Sequence, residues 1–256
     1  AIAQTAIELV EDGDSIIVDS GTTALEFVHA LTTRHDITVI TADVTIANYI
    51  DDSLPQTDVI LLGGTLRKGH RYLYGPLALR ALEVLHADKA FLCPTSFVPN
   101  RGLMTNFEQM AQVKSAFIEA ASTSIALIDA TKVDAGGLML FAPLERINVL
   151  VMDRDPEGVV ARQIESCAKR GTRPAVDAGI EPDGRTLVQP QSGIKNGHSA
   201  CAPCPFTRKK HQLVSAARTY SSRLRPRKRE AAMAATPRLS ARPAKNMELS
   251  PVPGRS

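Results

Sequence analysis

The densest chemistry in this sequence lies at one strand-to-helix turn, Asp19-Ser20-Gly21-Thr22-Thr23. The β-branched run Ile16-Ile17-Val18 precedes it and Ala24-Leu25-Glu26-Phe27 follows, so a strand delivers its end into a glycine turn and the start of a helix. The unpaired N–H groups and positive dipole end of such a helix suit a phosphate or other anion. Gly21 lets a backbone come close. The hydroxyls of Ser20, Thr22 and Thr23 can meet that ligand, or they can cap their own helix. The turn has neither the GK[ST] ending of a Walker A loop nor the three-glycine spacing of a dinucleotide fingerprint. Nucleotide hydrolysis and dinucleotide redox therefore start with little support.

Other residues could join this turn. Gly63-Gly64-Thr65-Leu66-Arg67-Lys68 can present backbone amides and a cation, or can simply make a turn with solvated charges. Tyr72-Leu73-Tyr74-Gly75-Pro76 reads as a loop leading into a helix, with Pro76 suited to its first turn, and its tyrosines serve packing or face a sugar equally well. Lys114, in an amphipathic helix with Val113, Phe117 and Ile118, and Lys132, three residues after Asp129, can each meet a phosphate or carboxylate as a point charge. Asp19, Asp43 and Asp129 are carboxylates at strand ends. An isomerase needs such a base within hydrogen-bond reach of its proton, and residue type alone singles out none of the three.

Cys93 ends an apolar run and is expected to be core packing rather than a nucleophile. HExxH and GxSxG motifs are absent from the sequence. His198, Cys201, Cys204 and His211 are ligand types for zinc, but their spacing departs from the usual finger signatures and is expected to be coincidental. No catalytic residue, metal or cofactor is expected.

These residues need a frame. Short apolar runs at 15–19, 37–41, 58–62, 89–93, 124–129 and 147–153 read as buried strands. Helical patterns lie between several of them, at Thr23–Leu31, Val44–Ile50, Pro76–Leu85 and Glu108–Ala121, with end helices at Ala1–Val10 and Glu157–Lys169. Continuous apolar strands alternating with helices predict an α/β fold, a Rossmann-like, mainly parallel sheet with helices on both faces. Its crossovers are expected to be right-handed, and its ligand crevice to lie at the carboxyl ends of the strands, where most of the residues above fall.

The chain of 256 residues divides sharply in composition. Residues 1–170 carry 14 Lys and Arg against 22 Asp and Glu, whereas residues 171–256 carry 16 against 5 and hold ten of the sixteen prolines. The first part is expected to be the folded domain. The second is expected to be a disordered basic Pro/Arg-rich tail, either a genuine accessory or the product of a shifted reading frame. With no apolar run of membrane-spanning length, no secretory leader pattern and only four cysteines, a cytoplasmic protein without membrane contact is expected.

The residues resemble the C-terminal effector-sensing domain of the DeoR family of bacterial transcriptional regulators. The resemblance is carried, in the family's order, by DGDSIIVDSGTTALEF, ITVITADVTIANYI, VILLGGTLRKGHRYLYGP, DKAFLCPTSF with RGLMTNFEQMAQVKSAFIEAA, and LIDATKVD, which span about residues 1–160. It implies a fold akin to ribose-5-phosphate isomerase and glucosamine-6-phosphate deaminase, and a phosphorylated sugar or related metabolite as effector. It also implies a site with Asp19, Gly21, Thr22 and Thr23 in the first loop, Thr41 and Asp43 in the second, Gly63 and Gly64 in the third, and Lys114 and Lys132 nearby. Many members have Thr-Asn-Ser where this chain has Thr41-Ala42-Asp43, which changes the hydroxyls that can be read. The resemblance further implies a repressor, a homo-oligomer, and operator DNA bound through a helix-turn-helix that is expected to be missing ahead of Ala1. A sugar-phosphate isomerase or deaminase using the same crevice is the alternative.

Overall fold

The computed structural model describes residues 1–155, 157–169, 177–180 and 186–189. In chain order its elements are α1 (Ile2–Ile7), β1 (Ser15–Val18), α2 (Thr22–Ala30), β2 (Thr38–Thr41), α3 (Val44–Ser53), β3 (Asp58–Leu61), β4 (Thr65–Arg67), β5 (Tyr72–Tyr74) and α4 (Pro76–Val84). Then come β6 (Ala87–Leu92), β7 (Ser96–Val98), β8 (Gly102–Thr105), α5 (Glu108–Glu119), β9 (Ala121–Ile128), β10 (Met139–Ala142), β11 (Val149–Met152), α6 (Val159–Lys169), β12 (Asp177–Ile180) and β13 (Thr186–Gln189).

The main sheet runs β12-β13-β11-β9-β6-β1-β2-β3. Its six strands from β11 to β3 pair in parallel, and β13 and β12 add antiparallel at one side. Chain order therefore reverses between β1 and β6, and at such a reversal the two outgoing connections diverge to opposite faces and open a crevice.

Alternation along the strands explains the two layers. Ile16, Val18, Val39, Phe91, Ile125 and Leu127 pack in one cluster with Ala6 of α1, Phe27 of α2 and Ile46 of α3. Their neighbours Ile17, Ile40, Ala90, Leu92, Ala126 and Ile128 pack in the other with Leu82 of α4, Phe117 of α5 and Ile164 of α6. Both faces are thus apolar and covered through the middle of the sheet, as continuous strand runs require, and each fully buried aliphatic or aromatic side chain there contributes about 1.5–3 kcal/mol. The run at 58–62, expected to be buried, forms the edge strand β3 and leaves Asp58, Ile60 and Leu61 exposed, because no further strand among the described residues pairs beyond it.

All six sequence-predicted strands form, with ends shifted by a residue or more. The predicted helices form too, though α2 ends at Ala30 and tightens into a 3-10 turn at Leu31–Thr33. The structure differs from the sequence reading in its small sheets. Tyr72-Leu73-Tyr74 is a strand rather than a loop, paired antiparallel with β4. The strands β10-β8-β7 form a three-stranded antiparallel sheet, whose Phe97, Leu103 and Phe141 join the α4–α6 core. Segments of three or four residues owe their form to this burial, since little in them distinguishes a strand locally.

The strands β12 and β13 lie past residue 170, where the sequence puts the end of the domain. The rest of the basic segment, including the cluster at 221–230 and the residues His198, Cys201, Cys204 and His211, lies outside the described residues.

Candidate functional site

The end of β1 sits beside the end of β6 at the reversal in strand order, and Asp19 bridges them. Its side chain is fully buried. One oxygen, Oδ1, accepts from the Ser20 amide at 2.8 Å. The other, Oδ2, accepts from the Cys93 amide at 2.9 Å and from the ammonium of Lys114. Lys114 is 1% exposed and also donates to the Cys93 carbonyl at 2.9 Å. A buried charge pair of this kind holds only when further hydrogen bonds satisfy both groups, and here the two strand ends supply them. Lys114, expected as a point charge for an incoming anion, is instead committed to Asp19.

Above this pair the turn enters α2 through Gly21, at φ 129°, a backbone conformation that L side chains rarely adopt. No side chain caps α2. The Ala24 amide lies against the Cys93 thiol, and the amides before it are left to a ligand or solvent, with Thr22 exposed and Thr23 half-buried at the opening. By contrast α3 is closed by its own residue: Asp43 Oδ1 accepts from the Thr45 amide at 2.7 Å and the Ile46 amide at 3.2 Å. Thr41 ties the two strand ends together, donating to the Val18 carbonyl at 2.8 Å and accepting from the Asp43 amide at 3.1 Å.

Electrostatics follow from burial. Asp43 is 7% exposed, and desolvation, opposed by the hydrogen bonds at the start of α3 and reinforced by the charge of Asp19, raises its carboxyl above the usual range. Cys93 is half-buried. Burial and the Asp19 charge push its thiol up to about 12, against the pull of Lys114, the Ala24 amide and Lys132. It is a neutral thiol at physiological pH, consistent with packing rather than nucleophilic chemistry. Lys132 is half-buried and ends the 3-10 turn Ala130–Lys132 that follows β9, at the same carboxyl side of the sheet. Asp129 in that turn accepts from the amide and hydroxyl of Thr131.

The third expected loop follows the edge strand β3, two strands along the same rim from β1. Gly63 is exposed beyond the edge strand β3. Gly64, at φ 145°, passes so close to β5 that a Cβ there would lie 2.5 Å from the Tyr74 carbonyl oxygen, so its requirement is one of hairpin packing. Arg67 lies over the Phe107 ring at 4.1 Å with Nη1 3.1 Å from Met110 Sδ. The hairpin also delivers Tyr72, for which the sequence left packing and a sugar-facing role equally open. Tyr72 bridges Asp43 across an antiparallel pair. Among the described residues two buried side-chain oxygens have no partner, the Tyr72 phenol and the Ser96 hydroxyl.

Asp19, Thr41, Asp43, Lys114, Lys132 and the Gly21-Thr22-Thr23 turn are thus drawn to the carboxyl rim of the sheet, where Gly63 and Gly64 also follow the parallel strand β3, with Gly64 held close by the hairpin. A signal for the burial of Lys114 is present in the sequence: it lies three and four residues from Phe117 and Ile118, and from Ala111 and Met110, inside an apolar stripe. Tyr72 has no comparable signal, because its neighbour is fixed by the hairpin. Among the described residues no group of three or more His, Cys, Asp or Glu side chains is placed to hold a metal ion, and no helix is long and apolar enough to cross a membrane.

The family described as the DeoR C terminal sensor domain matches residues 1–154. An HTH-type transcriptional regulator of Haemophilus influenzae is 32% identical over 64% of this chain and 64% of its own length. The HTH-type transcriptional repressor GlcR of Bacillus subtilis is 34% identical over 60% and 59%, and the transcriptional repressor AccR of Agrobacterium fabrum 29% over 66% and 66%. The chain thus spans less than two thirds of the length of each of these relatives. Among solved structures, ribose 5-phosphate isomerase A of Methanocaldococcus jannaschii aligns over 76% of this chain and 79% of its own at 15% identity and a TM-score of 0.39.

Proposed function

The chain belongs to the DeoR C-terminal sensor domain family, and from that premise we propose that it is the effector-binding part of a cytoplasmic DNA-binding transcriptional repressor that senses a phosphorylated sugar or a related anionic metabolite. The observation that carries the reading is the uncapped start of α2, set on Gly21 at the point where strand order reverses. Backbone amides and the helix dipole meet the anion there, and Lys132 adds a positive charge from the opposite side of the crevice. Asp19 and Lys114 hold the rim in shape from beneath.

The site reads as a sensor rather than a catalyst because its polar groups are engaged. Asp19 accepts from three donors, Asp43 from two amides of α3, Asp129 from Thr131, and the Cys93 thiol stays protonated. The names of GlcR and AccR support the regulatory half of the reading. In the full regulator a two-fold homo-oligomer would present paired helix-turn-helix segments to a palindromic operator. The effector would act by binding one subunit arrangement better than another.

Isothermal titration of the protein with D-ribose 5-phosphate, D-glucose 6-phosphate and D-fructose 6-phosphate, run beside assays for isomerisation and deamination, tests this. Saturable binding without turnover is the expected result. Turnover that disappears in Asp43→Asn would make the crevice an active site instead.

A further inference from the structure

We propose that Tyr72 and Asp43 form a hydroxyl-reading subsite, in which one hydroxyl of a polyhydroxylated phosphate ester accepts a hydrogen bond from the Tyr72 phenol and donates one to the Asp43 carboxylate. The proposal rests on the anion-sensing reading above and names what the crevice recognises beyond charge.

The two residues face each other in the isolated antiparallel bridge between the start of α3 and β5. The flanking bonds run from the Val44 amide to the Arg71 carbonyl at 2.9 Å and from the Leu73 amide to the Ala42 carbonyl at 2.8 Å, so Asp43 and Tyr72 form a non-hydrogen-bonded pair. In such a pair the Cα atoms stand about 4.5 Å apart and the side chains leave on the same side.

Tyr72 is 1% exposed, belongs to the core cluster that includes Ile17, Ile40, Ala42 and Leu62, and its phenol oxygen has no partner among the described residues. A buried O–H left unpaired is costly, and proteins keep few of them without a use. Burial, with the charges of Asp19 and Asp43 beside it, holds the phenol well above its ordinary range, so it stays a donor. Asp19 does not receive that proton, since its oxygens already serve Ser20, Cys93 and Lys114. Asp43 gives Oδ1 to the α3 amides, and a carboxylate has acceptor capacity beyond two bonds.

The group that matches a donor beside an acceptor is one that accepts and donates at once. A hydroxyl does both. A phosphate oxygen would accept from Tyr72 but meet the charge of Asp43, and a carbonyl would leave Asp43 unserved. The phosphate therefore belongs at α2, and a carbon-borne hydroxyl belongs between Tyr72 and Asp43.

Tyr72→Phe removes one oxygen and keeps the ring in its packing. Wild type and variant are titrated calorimetrically with inorganic phosphate and with the three sugar phosphates named above, and their unliganded melting temperatures are compared. The subsite predicts that the tightest sugar phosphate weakens about tenfold in Tyr72→Phe. It also predicts that phosphate binding is unchanged and that the unliganded variant melts no lower than wild type. Unchanged sugar-phosphate affinity overturns the subsite and leaves the anion site standing. A fall of several degrees in the unliganded variant shows that the phenol has a protein partner, and overturns it as well. If neither phosphate nor any sugar phosphate binds wild type, the anion reading fails and the subsite with it.

Discussion

Asp19 and Lys114, 95 residues apart in the chain, form a buried ion pair beneath the crevice where strand order reverses. Through the Cys93 amide and carbonyl the pair locks the end of β1 to the end of β6, which fixes where α2 begins. Its role is to support the rim while other groups face the ligand.

Removing one partner leaves the other charged and buried. Lys114→Met is expected to lower stability by about 3–5 kcal/mol, read as a shift in the urea unfolding midpoint at constant slope. Adding Asp19→Asn to that variant is expected to recover part of the loss. A change below about 1 kcal/mol would mean that the pair is solvated.

At Gly21 the demand is conformational. Gly21→Ala forces an L side chain to φ 129°, at a cost of about 1–3 kcal/mol, and the backbone relaxes by turning the first amides of α2. The variant is expected to lose phosphate binding by calorimetry while its far-ultraviolet circular dichroism stays that of wild type.

Asp43 gives stability a pH dependence whose sign is fixed. Its folded pKa lies above the ordinary 3.8, so between that value and the raised one the folded chain holds more protons than the unfolded chain. Stability falls as pH rises through that window. Asp43→Asn keeps an oxygen for the Thr45 and Ile46 amides and removes the titration, so denaturation curves across the acidic range should show a flatter slope than wild type. Removal of a negative charge near the bound anion should also tighten phosphate about fivefold, the equivalent of ~1 kcal/mol.

The Cys93 thiol, pushed up to about 12, is expected to react with iodoacetamide at pH 8 at least tenfold more slowly than a free cysteine, whose pKa is about 8.5. Peptide mapping at Cys93 checks this, and urea unfolding should restore the ordinary rate.

The sheet was legible because its strands carry unbroken apolar runs of up to four residues, such as Ile16-Ile17-Val18 and Ile125-Ala126-Leu127-Ile128, and burial on both faces leaves that mark on sequence. The α2 turn was legible for its glycine and hydroxyls, though the choice between self-capping and an open helix start needed coordinates. The hairpin of β4 and β5 was not legible. Its residues are stabilised by what they cover, and Gly64, which looked like a ligand glycine, answers to the Tyr74 carbonyl. For Tyr72 the sequence left packing and a sugar-facing role equally open for the same reason: its significance lies in facing Asp43, 29 positions earlier in the numbering, which is a property of pairing and not of local pattern.

The most direct measurement is amide NMR of the labelled protein during titration with a sugar phosphate. The account predicts saturable shifts centred on the amides of Gly21, Thr22 and Thr23 at the start of α2, with accompanying shifts around Lys132. Shifts confined to other surfaces, or none at millimolar ligand, would contradict it.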